Sequence, residues 1–113
     1  MSVIAKALLT RPTRLRTNAV LRDLVAEHSL NISDIIMPLF VIAGDNIKQP
    51  INSLPGQYQY SLDQLSKEAL YLAAQGVHTV ILFGVVTDKD SEGSAACSDD
   101  GLIQRAIVLL KNI

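Results

Sequence analysis

With 113 residues, 10 Lys plus Arg against 11 Asp plus Glu, and a net charge of −1, the chain has room for one small domain. It has no global charge that would draw it to nucleic acid or to an anionic membrane. Its hydrophobic content of 49%, rich in Val, Ile and Leu and without Trp, suits strands buried on both faces under helices. The single cysteine, Cys97, excludes an intrachain disulfide and fits a reducing, cytoplasmic compartment, and no run approaches the ~18 apolar residues of a membrane span.

Residues 1–30 read as an N-terminal arm with one short helix. Lys6, Arg11, Arg14, Arg16 and Arg22 stand ahead of the first acidic residue, Asp23, a bias shared by transit peptides and nucleic-acid arms. No aromatic residue is interleaved for base stacking, and no small-residue cleavage site follows a long apolar core. The arm is therefore expected to dock on protein. Pro12 interrupts any helix begun at Val3. Helical spacing then appears at Leu21, Leu24, Val25 and His28, with Thr17 or Asn18 available as N-cap. A histidine closing such a helix is expected to pack rather than react.

Residues 31–113 carry the α/β pattern. Ile35–Ala43 is a continuous apolar run of strand length in which Pro38 removes a ladder donor, placing it near the strand's start or on an edge. A polar loop is expected from Gly44 to Tyr60, with Pro55-Gly56 at the centre of a type II turn. Ser61-x-x-Gln64 predicts a capping box and Asp63 complements the helix dipole. Leu62, Leu65, Ala69, Leu72 and Ala73 give the apolar stripe of the helix, and Gly76 stands at C′. Val77–Phe83 is a second strand. A second helix begins near Ser98 to Gly101 and runs through Ile103, Ile107, Leu109 and Leu110. Two strands make a marginal sheet with unpaired edges, so the pattern looks unfinished as a domain.

The long loop after the second strand lies where parallel α/β proteins build sites, at a strand's carboxyl end. Asp88-x-Asp90-x-Glu92-Gly93 followed by Asp99 nearly matches a calcium loop. A strand rather than a helix enters it, however, and position 12 is Asp99 instead of Glu; a solvated acidic loop is the plainer reading. Cys97 lies beside Asp99 and Asp100, which raise a thiol pKa and argue against a nucleophile. His78 alternates with Val80 and Leu82 on one strand face and has no second ligand at i+2. Gly84, Gly93 and Gly101 lack phosphate-loop spacing. No catalytic residue and no metal ligand is assigned within the chain.

Several short motifs nevertheless stand in one order. Arg11-Pro12-x-Arg14-Leu15-Arg16, Pro38-Leu39-Phe40-Val41 and Ser53-Leu54-Pro55-Gly56 come first. Leu82-Phe83-Gly84-Val85, Lys89-Asp90-x-x-Gly93-Ser94 and Gly101-x-x-Gln104-Arg105-Ala106 follow. Together they resemble the opening of the porphobilinogen synthase (5-aminolevulinate dehydratase) family, collinearly from about Arg11 to Asn112. Val86 departs from the proline usual in that family.

The resemblance implies a (β/α)8 TIM barrel, with residues 1–30 as its arm and 31–113 as its first two βα units, an incomplete barrel. It implies a lyase that condenses two molecules of 5-aminolevulinate to porphobilinogen in tetrapyrrole (haem) biosynthesis. It also implies zinc or magnesium as cofactor, and a homo-oligomer, usually an octamer, assembled through the arm. The family's two Schiff-base lysines and its metal ligands would lie after Ile113, so this chain alone is expected to be inactive and to bind no metal. Lys48, Lys67 and Lys89 do not match the catalytic positions. Phe83, at the carboxyl end of its strand, resembles a family residue lining the substrate cavity; its other reading is core packing. The alternative to the enzyme is a non-catalytic, self-associating α/β interaction module.

Overall fold

Strand β1, Ile36–Ile42, has an uninterrupted apolar sequence, and it lies at the centre of a sheet. In the computed structural model, which describes residues 13–113, the chain divides into two units at Leu30 and Asn31. The arm motif at Arg11-Pro12 and the break expected at Pro12 lie outside the described residues.

The first unit contains a 3₁₀ turn, Arg14–Arg16, and helix α1, Ala19–Leu24. Asn18 is the N-cap: its side-chain oxygen accepts from the Leu21 N–H at 2.9 Å. The helix is shorter than its apolar spacing suggests. Val25 is already the C-cap, so His28 lies beyond the helix, exposed, and does not close it. Val20 and Leu24 are largely exposed.

In the second unit β1 is followed by β2 (Lys48–Pro50), β3 (Tyr58–Tyr60), α2 (Leu62–Ala74) and β4 (Thr79–Val85), then α3 (Ser94–Cys97) and α4 (Leu102–Lys111). The described strands run β2-β3-β1-β4 across one sheet; β1 is parallel to both β3 and β4, and β2 is antiparallel to β3. The expected loop over 44–60 thus holds two short strands. Each is only three residues long and Gln- or Tyr-based, below the length at which alternation becomes readable. The turn between them is as expected: Gly56 has φ +84°, and the Gln57 N–H donates to Leu54 O at 3.0 Å. Pro38 tolerates its central strand because β3 pairs with β1 only at Phe40 and Val41, leaving one side of β1 free at Pro38.

One face of the sheet is covered. Leu39 and Val41 of β1 meet Leu65 and Leu72 of α2 and Ala106 of α4 in the core, with Val80, Leu82 and Ile103 packed around them. The stripe on α2 is the expected one, and Gly76 (φ +88°) ends the helix in the left-handed conformation that favours glycine. The opposite face carries Ile36, Pro38 and Phe40 from β1 with Ile81 and Phe83 from β4, and neither α2 nor α4 lies on it; Ile36, Ile81 and Phe83 are exposed. The far edge of β4 has no partner among the described residues.

Candidate functional site at the strand carboxyl ends

Both parallel strands end on the same side, at Ile42 and Val85, which are in register. Just inside that end, Phe40 and Phe83 lie opposite each other on the open face, their rings stacked with centroids 5.4 Å apart and planes 23° apart. Phe83 is 46% exposed. It is therefore not a core side chain of this unit; its ring is presented beside Phe40. Sequence reading singled out Phe83 and missed its partner. The signal was a short internal echo, Leu39-Phe40-Val41 against Leu82-Phe83-Gly84, which in parallel register sets the two rings side by side.

The loops that leave the two strands are pinned by polar contacts. After β1, Asn46 adopts φ +54°, and its N–H donates to both carboxylate oxygens of Asp63, at 3.0 and 3.1 Å. Gln64 donates through Nε2 to Asn46 Oδ1. The capping box expected at Ser61 and Gln64 is absent, because both side chains reach across to this loop. Buried Ser61 Oγ accepts from the Ile47 N–H at 2.9 Å and lies 2.5 Å from Asp63 Oδ1, to which its hydroxyl donates. The Ser61 hydroxyl, and behind it the Asn46 N–H, hold the Asp63 carboxyl below the usual carboxylate range.

After β4, Asp90 Oδ1 accepts from the Glu92 N–H at 3.2 Å and the Ser94 N–H at 2.9 Å, starting α3. Ser94, through its hydroxyl first and its N–H second, lowers the Asp90 pKa. Gly93 supplies the turn with φ +68°. Asp90 is thus spent on its own loop. Among the described residues no group of three or more His, Cys, Asp or Glu stands close enough to hold a metal ion, so Asp88, Asp90, Glu92 and Asp99 do not converge as a calcium loop would require. Cys97 is exposed, as is His78, which precedes β4.

A cavity of about 560 Å³ lies between this loop and α4, lined by Gly84, Val86, Asp88, Ala96, Gly101 and Ile103 among others. It is on the helix-covered side and does not include the phenylalanine pair. At the β2–β3 end of the sheet, on the same helix-covered face, Lys48 Nζ lies 3.8 Å from Glu68, and 4.7 and 5.5 Å from the ring centres of Tyr58 and Tyr60. This cluster went unread because its members come from three elements. Burial, reinforced by the Glu68 charge, pushes the Tyr60 hydroxyl up to about 12.

No described helix is long and apolar enough to cross a membrane. The family profile described as Delta-aminolevulinic acid dehydratase matches residues 9–113. The chain is 44% identical over 101 residues to the delta-aminolevulinic acid dehydratase of Halalkalibacterium halodurans, covering 89% of this chain and 31% of that protein. It is 43% identical to that of Ruminiclostridium josui, covering 92% and 51% respectively. Among solved structures, delta-aminolevulinic acid dehydratase (porphobilinogen synthase) from Toxoplasma gondii, in complex with the reaction product porphobilinogen, superposes with a TM-score of 0.80. The identity there is 35%, over 94% of this chain and 30% of that one. The chain therefore spans about a third to a half of the length of the relatives it matches. With nearly the whole of it inside the matched region, the chain belongs to the delta-aminolevulinic acid dehydratase family.

Proposed function

We propose that this chain is the amino-terminal part of an enzyme that condenses two molecules of 5-aminolevulinate to porphobilinogen, releasing two waters, and that it supplies the arm and the first two βα units of a TIM barrel. The observation that carries the reading is the asymmetry of the sheet. Parallel β1 and β4 have both helices on one face and leave Phe40 and Phe83 uncovered on the other, at the carboxyl ends. In a (β/α)8 barrel the uncovered face is the interior and that end bears the active site. The unpaired edge of β4 is where a further parallel strand would add.

In this reading Phe83 lines the substrate cavity, and the pinned loops at Asn46 and Asp90 hold the rim in shape. The part played by this chain is to bind and orient substrate and to exclude water. A metal, zinc or magnesium, assists the reaction in the family. The described residues do not assemble a ligand set for it. The arm is assigned to contacts between subunits of a homo-oligomer, an octamer in the family's usual form.

Purified gene product incubated with 5-aminolevulinate, and with zinc or magnesium supplied in turn, is expected to form porphobilinogen. A folded product that forms none with either metal would overturn the proposal. The exposed apolar face and free strand edge favour one rival, a self-associating module. It would form oligomers without turning over or binding 5-aminolevulinate.

A further inference from the structure

We infer that Phe40 is a positioning residue: it fixes the ring of Phe83 so that the two phenylalanines form one aromatic wall at the working end of the sheet. The inference rests on the functional reading above, and adds to it a residue on the neighbouring strand.

The geometry supports a joint role. Phe40 and Phe83 are direct partners in the parallel register, and their rings stack at 5.4 Å with a tilt of only 23°. Parallel neighbours on a pleated sheet project side by side, so such a stack closes off the rotamers that would turn either ring toward its partner's strand. The two are not equivalent. Phe40 is half-buried on a strand paired on both sides, with β3 and β4, whereas Phe83 is 46% exposed among the described residues. The better-anchored ring restrains the freer one. Beneath Phe40 the strand is held by Leu39 and Val41, both buried in the helix-facing core. Beyond it the chain passes to the loop held by Asp63. The rigidity of β1 is thereby passed to an exposed ring that sequence alone would leave free to turn.

A flat aromatic wall suits a planar ring with polar substituents, such as a pyrrole, which can stack while its charged groups point elsewhere. A loose ring would offer the same area but lose rotamer freedom when a ligand docks.

The test is a double-substitution cycle on the active gene product, following kcat and KM for porphobilinogen formation together with thermal stability. Phe40→Leu is expected to lower kcat/KM about tenfold, mainly through KM. In the Phe83→Leu background the same change should cost less than about twofold, because the ring it positions is gone. Phe40→Tyr, which keeps the ring, should recover most of the loss and serves as the readout if Phe40→Leu fails to fold. Equal losses in both backgrounds, or a Phe40→Leu protein as active as the parent, would overturn the inference and leave the enzyme reading intact. A parent protein that makes no porphobilinogen would overturn both.

Discussion

Replacing Gly84 by alanine tests how tightly α4 is seated on the sheet. Gly84 is in register with Val41, which is fully buried, and it faces α4. A Cβ built on it would lie 2.9 Å from Ile103 Cγ1 and 3.1 Å from Cδ1. Ordinary carbon contacts are about 3.5–4.0 Å, so Ile103 must retreat by roughly half an ångström from a packed seam. Overpacking of this kind costs about 1–3 kcal/mol. Removing a glycine from a strand returns about 0.5–1 kcal/mol. Because the obstructing atoms belong to a side chain, the lower part of the first range applies, and the net expectation is destabilisation by about 0.5 kcal/mol. Urea unfolding should show this as a lower midpoint at unchanged slope. Ile103→Ala removes both crowding atoms and by itself costs about 2–5 kcal/mol; the double variant should cost less than the sum of the singles by about 0.5 kcal/mol or more. A Gly84→Ala protein at least as stable as the parent, or strict additivity with Ile103→Ala, would refute the close seating of α4.

Three further outcomes follow from the polar contacts. Ser61→Ala should cost about 1–2 kcal/mol, since it strips the Ile47 N–H of its acceptor, and hydrogen exchange should quicken at the Ile47 amide. Asp63 and Asp90 are both held below the usual carboxylate range. Their depressed values contribute stability that is present above the unfolded-state pKa and lost as pH falls through the folded one; carboxylate NMR should find both midpoints below that of an unstructured Asp. For Tyr60, whose hydroxyl is pushed up to about 12, the contribution is present below the unfolded value of 10 and lost as pH rises through the folded one. Stability should therefore fall as pH rises from about 10 toward about 12, and Glu68→Gln should bring the Tyr60 titration, read by ultraviolet absorbance, back toward the ordinary tyrosine value.

What the sequence disclosed were the features written in short-range chemistry. The apolar runs of β1 and β4, the stripe of α2, Asn18 as one of two candidate caps, the Pro55-Gly56 turn and Gly76 all declare themselves within a few residues. What stayed hidden depends on partners distant in the chain. Ser61 and Gln64 have the spacing of a capping box, yet a loop 14 to 18 residues away competes for both side chains and wins. His28 has helical spacing, but α1 ends at Leu24 with Val25 as its C-cap. Tyr58–Tyr60 forms a strand because β1 offers an edge, and Lys48–Pro50 in turn because Tyr58–Tyr60 offers one, not because their own residues demand it. At the site, Phe83 was reachable through family resemblance, while Phe40 needed the register of two strands some forty residues apart. The acidic loop reads as solvated rather than as a cation site, but its internal use of Asp90, which accepts from the backbone of its own turn, was not legible.

The most direct measurement is a crystal structure of the active gene product with 5-aminolevulinate or porphobilinogen bound. The account predicts the ligand on the sheet face opposite α2 and α4, with its atoms within about 4 Å of the Phe83 ring and Phe40 stacked behind it. A ligand seated instead on the helix-covered side, in the cavity lined by Gly84, Val86 and Ile103, or one remote from both rings, would contradict it.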